Sequence, residues 1–188
     1  MDLSKGLFDA FKHRSLTPGA MMRLCGILSM VFFLLSSSCT PYRLENWVFY
    51  KGRIRYKIGQ IESHWRPVKI EENDVAFYNR NFFAIMATNV TCRSDYTKVD
   101  LRLMTSHLFY DLTNRKIIKQ EKEKAGKLEG WRTEFSGKLK NTNVRSTVIV
   151  FRNGMCIYDF IYITRPHNYG RGLGDFWRVV YGFKVLEQ

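Results

Sequence analysis

The chain has 188 residues, 30 of them Lys or Arg and 17 Asp or Glu, for a formal net charge of +13. That length holds one ordinary domain with its own core, and the absence of internal repeats or low-complexity stretches argues against a solenoid or array. A surplus of this size signals contact with something anionic, or else a solvated basic surface without a specific ligand.

From Leu24 the sequence runs LCGILSMVFFLLSSSC to Cys39, with Arg23 just before it. A basic start, an apolar stretch and small residues before a cleavage point are the order of a secretory signal. A membrane-spanning anchor takes about 20 apolar residues, and the clean apolar run from Leu24 to Leu35 is shorter. The cysteine directly after the serines resembles the lipobox of bacterial lipoproteins. The resemblance departs from the usual box in one respect: Ser36 stands three residues before Cys39, and Leu35 is one place early. Ser36 and Ser38 also satisfy the small-x-small rule of ordinary signal peptidase at the same bond. Lipidation of Cys39 is the expectation, with plain secretion and a retained anchor as the alternatives. Residues 1–38 are then an N-terminal extension and signal peptide starting at Met1, Met21 or Met22. Residues 39–46 form a tether and residues 47–188 a single globular domain. Thr40 after the cysteine is not the aspartate that retains some lipoproteins at the inner membrane, which points to a lipid anchor in the outer membrane, facing the periplasm.

Loss of residues 1–38 leaves 26 basic and 15 acidic residues, a charge of +11. In the envelope the expected counterparts are anionic lipid, lipopolysaccharide, acidic cell-wall polymers or an envelope protein, and not nucleic acid. Of four cysteines, Cys25 leaves with the signal and Cys39 is the acylation site. Cys92 and Cys156 remain, either as a disulfide, which an oxidising compartment preserves, or as two separate buried thiols.

Along the domain, Val48 to Ile58 alternates strictly and predicts one half-buried strand, with Lys51, Arg53, Arg55 and Lys57 on its outer face. Trp65 and Pro67 end a turn. Strands over 74–78 and 82–87 flank the turn Asn79-Arg80-Asn81, and residues 89–92 close that hairpin. Thr97 as N-cap with Asp100 predicts a helix to Asn114, whose stripe is Leu101, Met104, Leu108 and Leu112. Strands follow over 117–124, 131–139, 144–151 and 155–164, the last two joined at Asn153-Gly154. The final strand is expected to be buried on both faces. A loop over 165–174 leads to a last helix carrying Phe176, Trp177, Val180 and Phe183, with Asp175 in its first turn. The fold class is α+β, a curved antiparallel sheet packed with two main helices.

The ending, VIVFRNGMCIYDFIYIT, a loop and GDFWRVVYGFKV, resembles the PsbP-like α/β/α sandwich. That family includes extrinsic photosystem II proteins, a Ran-binding nuclear-import factor and several bacterial envelope lipoproteins. The resemblance extends from Trp47 to Val185 and implies a non-enzymatic binding or scaffolding domain.

No constellation argues for catalysis. His64, His107 and His167 have no ligand partner at helical spacing, and H-E-x-x-H, C-x-x-C and G-x-S-x-G are absent. No metal and no cofactor are expected. The run Gly170 to Gly174 lacks P-loop spacing and is taken as a plain loop. A cysteine-dependent hydrolase of the cell envelope, with Cys92 or Cys156 as nucleophile and His107 or His167 as base, is the alternative from another class. Asp159, inside the apolar strand IYDFIY, is expected to have an arginine or backbone amide as partner, with a general base as the other possibility. Candidate contacts to an anionic ligand are Lys51, Arg53, Arg55 and Lys57 on the stripe, and Arg165, His167 and Arg171 in the loop.

Overall fold

A computed structural model describes residues 43–70, 73–109 and 112–186. Cys39, the signal segment and the first half of the tether, residues 39–42, lie outside the described residues. Two antiparallel sheets carry the fold. The smaller has the order β1-β2-β3-β11, formed by Arg43–Glu45, Val48–Lys51, Ile54–Lys57 and Lys184–Val185. The larger has seven strands in the order β4-β5-β6-β10-β9-β8-β7. Its members are β4 Arg66–Val68, β5 Val75–Asn79, β6 Ala84–Cys92, β7 Thr113–Ala125, β8 Leu128–Leu139, β9 Thr142–Asn153 and β10 Cys156–Thr164. A 3₁₀ turn, η1 (Ser94–Lys98), precedes helix α1 (Leu101–His107), and η2 (Pro166–Asn168) precedes helix α2 (Tyr169–Tyr181).

Strand β10 lies between β6 and β9 and is buried from Ile157 through Thr164. Its side chains alternate between two cores. Tyr158, Phe160 and Tyr162 meet Phe176, Val179 and Val180 of α2 and Phe49 and Tyr56 of the small sheet. Ile157, Ile161 and Ile163 meet Phe109, Leu112 and Phe135 on the other face, where Thr105 of α1 shares a 2.6 Å hydroxyl contact with Thr133. The result is an α/β/α sandwich, with α2 and the small sheet on one side and α1 on the other. Pro67 sits in edge strand β4, where its missing N–H costs least. The other edge, β7, is shielded by Lys116, Lys119, Lys122 and Lys124 and by two register shifts.

Four local expectations change. The alternating run 48–58 is not one strand: it turns at Gly52 (φ 59°) and Arg53, and β2 pairs with β3 through Lys51 opposite Ile54. Residues 43–45, within the expected tether, pair as β1. Helix α1 is only seven residues long, and its cap is Asp100, which accepts from the Arg102 N–H at 2.8 Å, not Thr97. Helix α2 begins at Tyr169, so the run 170–174 is helical and Asp175 lies in its middle, buried.

The glycines of that run differ in what they allow. A Cβ on Gly172 would lie 2.8 Å from the Tyr162 hydroxyl, which donates to the Tyr169 carbonyl at 3.0 Å. Gly170 and Gly174 face open space. At the other end of α2 the backbones of Gly59 and Gly182 touch: a Cβ on Gly59 would lie 1.8 Å from the Arg178 carbonyl oxygen, and one on Gly182 would lie 2.3 Å from the Gly59 Cα.

Asp159 is buried in β10 opposite Asn89 and Val150. The expected partner is not found among the described residues: its Oδ1 has none, and Arg152, diagonal to it, donates instead to the Val99 carbonyl at 2.8 Å. Burial, with the charge of Asp74 as a lesser cause, pushes the Asp159 carboxyl up to about 7.

Two outcomes follow from this packing. Gly59→Ala is expected to lower the urea midpoint by the equivalent of about 1–3 kcal/mol through overpacking, whereas Gly174→Ala raises it by about 0.5–1 kcal/mol through helix propensity. Between about pH 4 and 7 the folded chain holds an Asp159 proton that the unfolded chain has released. Stability from this group is therefore full below pH 4 and falls as pH rises through about 7. Asp159→Asn should flatten that slope and stabilise the protein at pH 8 by about 2–4 kcal/mol, as read by urea titrations at pH 4 and pH 8.

Candidate functional site

Two polar surfaces are built around α2. The first lies where the segment after β3 crosses the helix, held by the Gly59 N–H donating to the Val179 carbonyl at 3.1 Å. The Asp175 carboxylate accepts from Trp65 Nε1 at 2.9 Å, and its Oδ2 lies 3.2 Å from His64 Nε2. Arg178 donates to Glu62 at 2.6 Å and to Asp175 at 3.2 Å, and its hydrogen bond to the Glu62 carboxylate raises the Arg178 pKa. His64 Nδ1 faces Glu62 at 3.4 Å. A shallow groove at this point is lined by Gln60, Ser63 and His64 among others.

Glu62, His64 and Asp175 each place a ligand atom within 4.8 Å of the others. This is the one grouping of metal-ligand type found among the described residues, and spacing in the sequence gave no sign of it. The imidazole, however, directs one nitrogen to each carboxylate, and the Arg178 guanidinium bridges both acids. Both carboxylates are thus engaged within the cluster, and Asp175 has hydrogen-bond donors at both oxygens. Among the described residues no hydroxyl or thiol hydrogen-bonds to His64.

The second group of sequence candidates sits beside it. Arg165 stacks over Phe83 at 4.9 Å and Arg171 over Phe82 at 4.7 Å, and the His64 ring meets Phe82 at 5.9 Å. Arg165 precedes η2 and Arg171 lies in the first turn of α2, so this is ordered structure and not a flexible loop. The Phe82 carbonyl fixes the arrangement by accepting from Thr164 Oγ1 at 2.8 Å and Asn168 Nδ2 at 3.0 Å. His167 is exposed at its edge.

The stripe divides. Lys51 points inward and donates to the buried Asp74 at 2.8 Å, so it does not belong to the outer face. Arg55 and Lys57 are on that face and Arg53 is at the turn, all exposed. The register adds residues that the sequence did not single out. One outer row is Arg43–Tyr50–Arg55, in which both guanidiniums lie over the Tyr50 ring at 5.9 and 5.8 Å. The next is Glu45–Val48–Lys57–Lys184. Lys184 follows α2, while Arg171 lies near its start. A 13-residue helix is about 20 Å long, so the stripe and the Arg165–Arg171 group are separate surfaces.

Cys92 and Cys156, directly opposite in β6 and β10, form a disulfide. Both thiols proposed as a nucleophile are consumed in it. Among the described residues no helix is long and apolar enough to cross a membrane.

No protein-family model matches the sequence, and no curated protein matches it. Solved structures do match. The solution structure of cyanobacterial PsbP (CyanoP) from Synechocystis sp. PCC 6803 aligns with a TM-score of 0.50, over 78% of this chain and 92% of that one, at 13% identity. LpqN, involved in cell envelope biogenesis of Mycobacterium tuberculosis, aligns with a TM-score of 0.52 over 69% of this chain and 83% of its own, at 10% identity. A protein from Bacteroides thetaiotaomicron VPI-5482 aligns with a TM-score of 0.51 over 72% of this chain at 12% identity; the match spans 46% of that protein's length. Identities this low speak to architecture alone, and the architecture is the PsbP-like α/β/α sandwich.

Proposed function

We propose that this chain is a lipoprotein of the cell envelope, tethered through Cys39, whose α/β/α domain binds or scaffolds and does not catalyse. Its counterpart is an anionic envelope component or an acidic protein partner. The observation that carries this reading is the outer face of the small sheet. Arg53, Arg55 and Lys57 are exposed there, and no ion pair among the described residues reaches them. The cluster that most resembles a reactive site is, by contrast, closed on itself by Arg178 and Trp65. Likeness to LpqN, a protein involved in cell envelope biogenesis, supports the same compartment, and a disulfide between Cys92 and Cys156 suits an oxidising one. The lipid anchor is placed in the outer membrane, with the domain facing the periplasm.

The test is the intact mass of the protein extracted from membranes of its host. The expected mass is that of residues 39–188 plus acyl chains, lighter by two hydrogens for the disulfide, and Cys39→Ala removes the acyl mass. An unacylated chain with free Cys92 and Cys156 overturns the reading and reopens the thiol hydrolase.

A further inference from the structure

The outer face of the small sheet has a composition and a position that together identify its counterpart. Four cations stand on it, Arg43, Arg55, Lys57 and Lys184, with Arg53 at the hairpin tip. Glu45 is the one described carboxylate in these rows, and it pairs with Arg43. Lys57 and Lys184 are directly opposite in the β3–β11 ladder, a like-charge pair that destabilises a sheet unless an anion lies against it. Between the cations are Tyr50, held under two guanidiniums, and Val48. A phenol ring with an apolar body and a polar tip suits the boundary between headgroups and water.

Position adds a constraint. Cys39 is four residues before Arg43, and an extended chain covers at most about 3.6 Å per residue. The start of β1 is thus held within about 14 Å of an acylated Cys39, less than two screening lengths at physiological salt, each about 8 Å. The opposite side of the small sheet, the row Leu44–Phe49–Tyr56–Val185, is packed on the domain core. The cationic face is therefore the one that the tether can lay on a bilayer.

We infer that the outer face of the small sheet docks on an anionic phospholipid surface, orienting the tethered domain with β1–β3 and β11 toward the bilayer. This rests on the reading of Cys39 as the anchor and names the counterpart of the basic face. The Arg165–Arg171 group, at the other end of α2, takes no part in it.

The experiment uses the acylated protein, reconstituted into vesicles of phosphatidylcholine alone or with phosphatidylglycerol. Lysines are labelled with a membrane-impermeant amine reagent and the labelled sites read by mass spectrometry. Each cation at such a surface contributes enough to change exposure about fivefold. Lys57 and Lys184 should therefore label about fivefold more slowly on phosphatidylglycerol vesicles, with protection lost at high salt, while Lys116 and Lys138 on the larger sheet are unaffected. Arg53→Glu with Arg55→Glu should abolish the protection without releasing the protein from the vesicles, and Arg165→Glu with Arg171→Glu should leave it intact. Equal labelling of Lys57 and Lys184 on both vesicle types, with the protein attached to both, overturns the docking face and leaves the anchor standing. Failure to stay with either vesicle overturns the anchor, and the docking face with it.

Discussion

Where the chain leaves β3 it passes over the end of α2, and the two backbones meet at Gly59 and Gly182 with no room for a Cβ on either. That contact lets Phe183, directly after the helix, turn down into the core. Its ring lies 4.9–6.0 Å from those of Phe160, Tyr158, Phe151 and Tyr56. Aromatic groupings of this kind carry a large share of core burial. Because Phe183 is fixed, Lys184 and Val185 emerge in register with Lys57 and Tyr56 and complete the small sheet. The same crossing carries Glu62, His64 and Trp65 over the middle of α2, where Asp175 waits. One close approach of backbone thus positions the Asp175 cluster and the outer face of the small sheet, although each is built from segments more than 100 residues apart.

The two surfaces treat charge in opposite ways. At Asp175 the burial of a carboxylate is offset by donors from three side chains, as a buried charge requires. Such a network holds the crossing segment to the helix and has little left over for a ligand. On the outer face of the small sheet the cations remain in water, where an isolated exposed charge costs little and a surface ion pair contributes little. Their value lies outside the molecule, in the field that they set up jointly. The inward turn of Lys51 onto Asp74 marks the boundary between the two regimes, since Asp74 also accepts from the Val90 N–H at 2.7 Å and lies in the interior. With Tyr56 bonded to Thr88 at 2.8 Å, that ion pair ties the small sheet to the large one; burial pushes the Tyr56 hydroxyl pKa up and keeps it neutral.

The sheet meander from β7 to β10 was legible because residues 131–139 alternate, residues 155–164 are apolar on both faces and Asn153-Gly154 marks the last hairpin, and the architecture followed from it. The hairpin at Gly52 was hidden by arithmetic. A two-residue turn preserves the even–odd pattern of the sequence while reversing which parity faces the core, so that Phe49 and Lys51 point inward before it and Ile54 and Tyr56 after it. The start of α2 was hidden by Gly170, Gly172 and Gly174, which read locally as loop. Gly172 is there because Tyr162 and Trp65 fill the space of a side chain, a tertiary reason with no local signature. Of the candidate residues, Arg53, Arg55 and Lys57 are exposed as their alternation implied and Lys51 turns inward, while Arg165, His167 and Arg171, read as a loop, stand at a 3₁₀ turn and the first turn of α2. His64 with Asp175 could not be found, because 111 residues separate them. Lys184 joins the stripe only through the two-residue strand β11.

Asp159 shows why the disulfide sits where it does. The carboxyl lies three residues along β10 from Cys156, with Asn89 facing it in β6 and Cys92 facing Cys156. A group held near neutrality by burial weakens the ladder around it once the pH passes about 7. The strand ends beyond it would be the first to separate, since they lead into the turn at Gly154 on one side and η1 on the other. A covalent link at that place closes a 64-residue separation and, on the chain-entropy account, contributes about 4 kcal/mol. That is the same order as the cost of ionising Asp159 in place. The bond therefore secures the part of the sheet that its own buried carboxyl would loosen, and it does so at the two strands on which both cores are built.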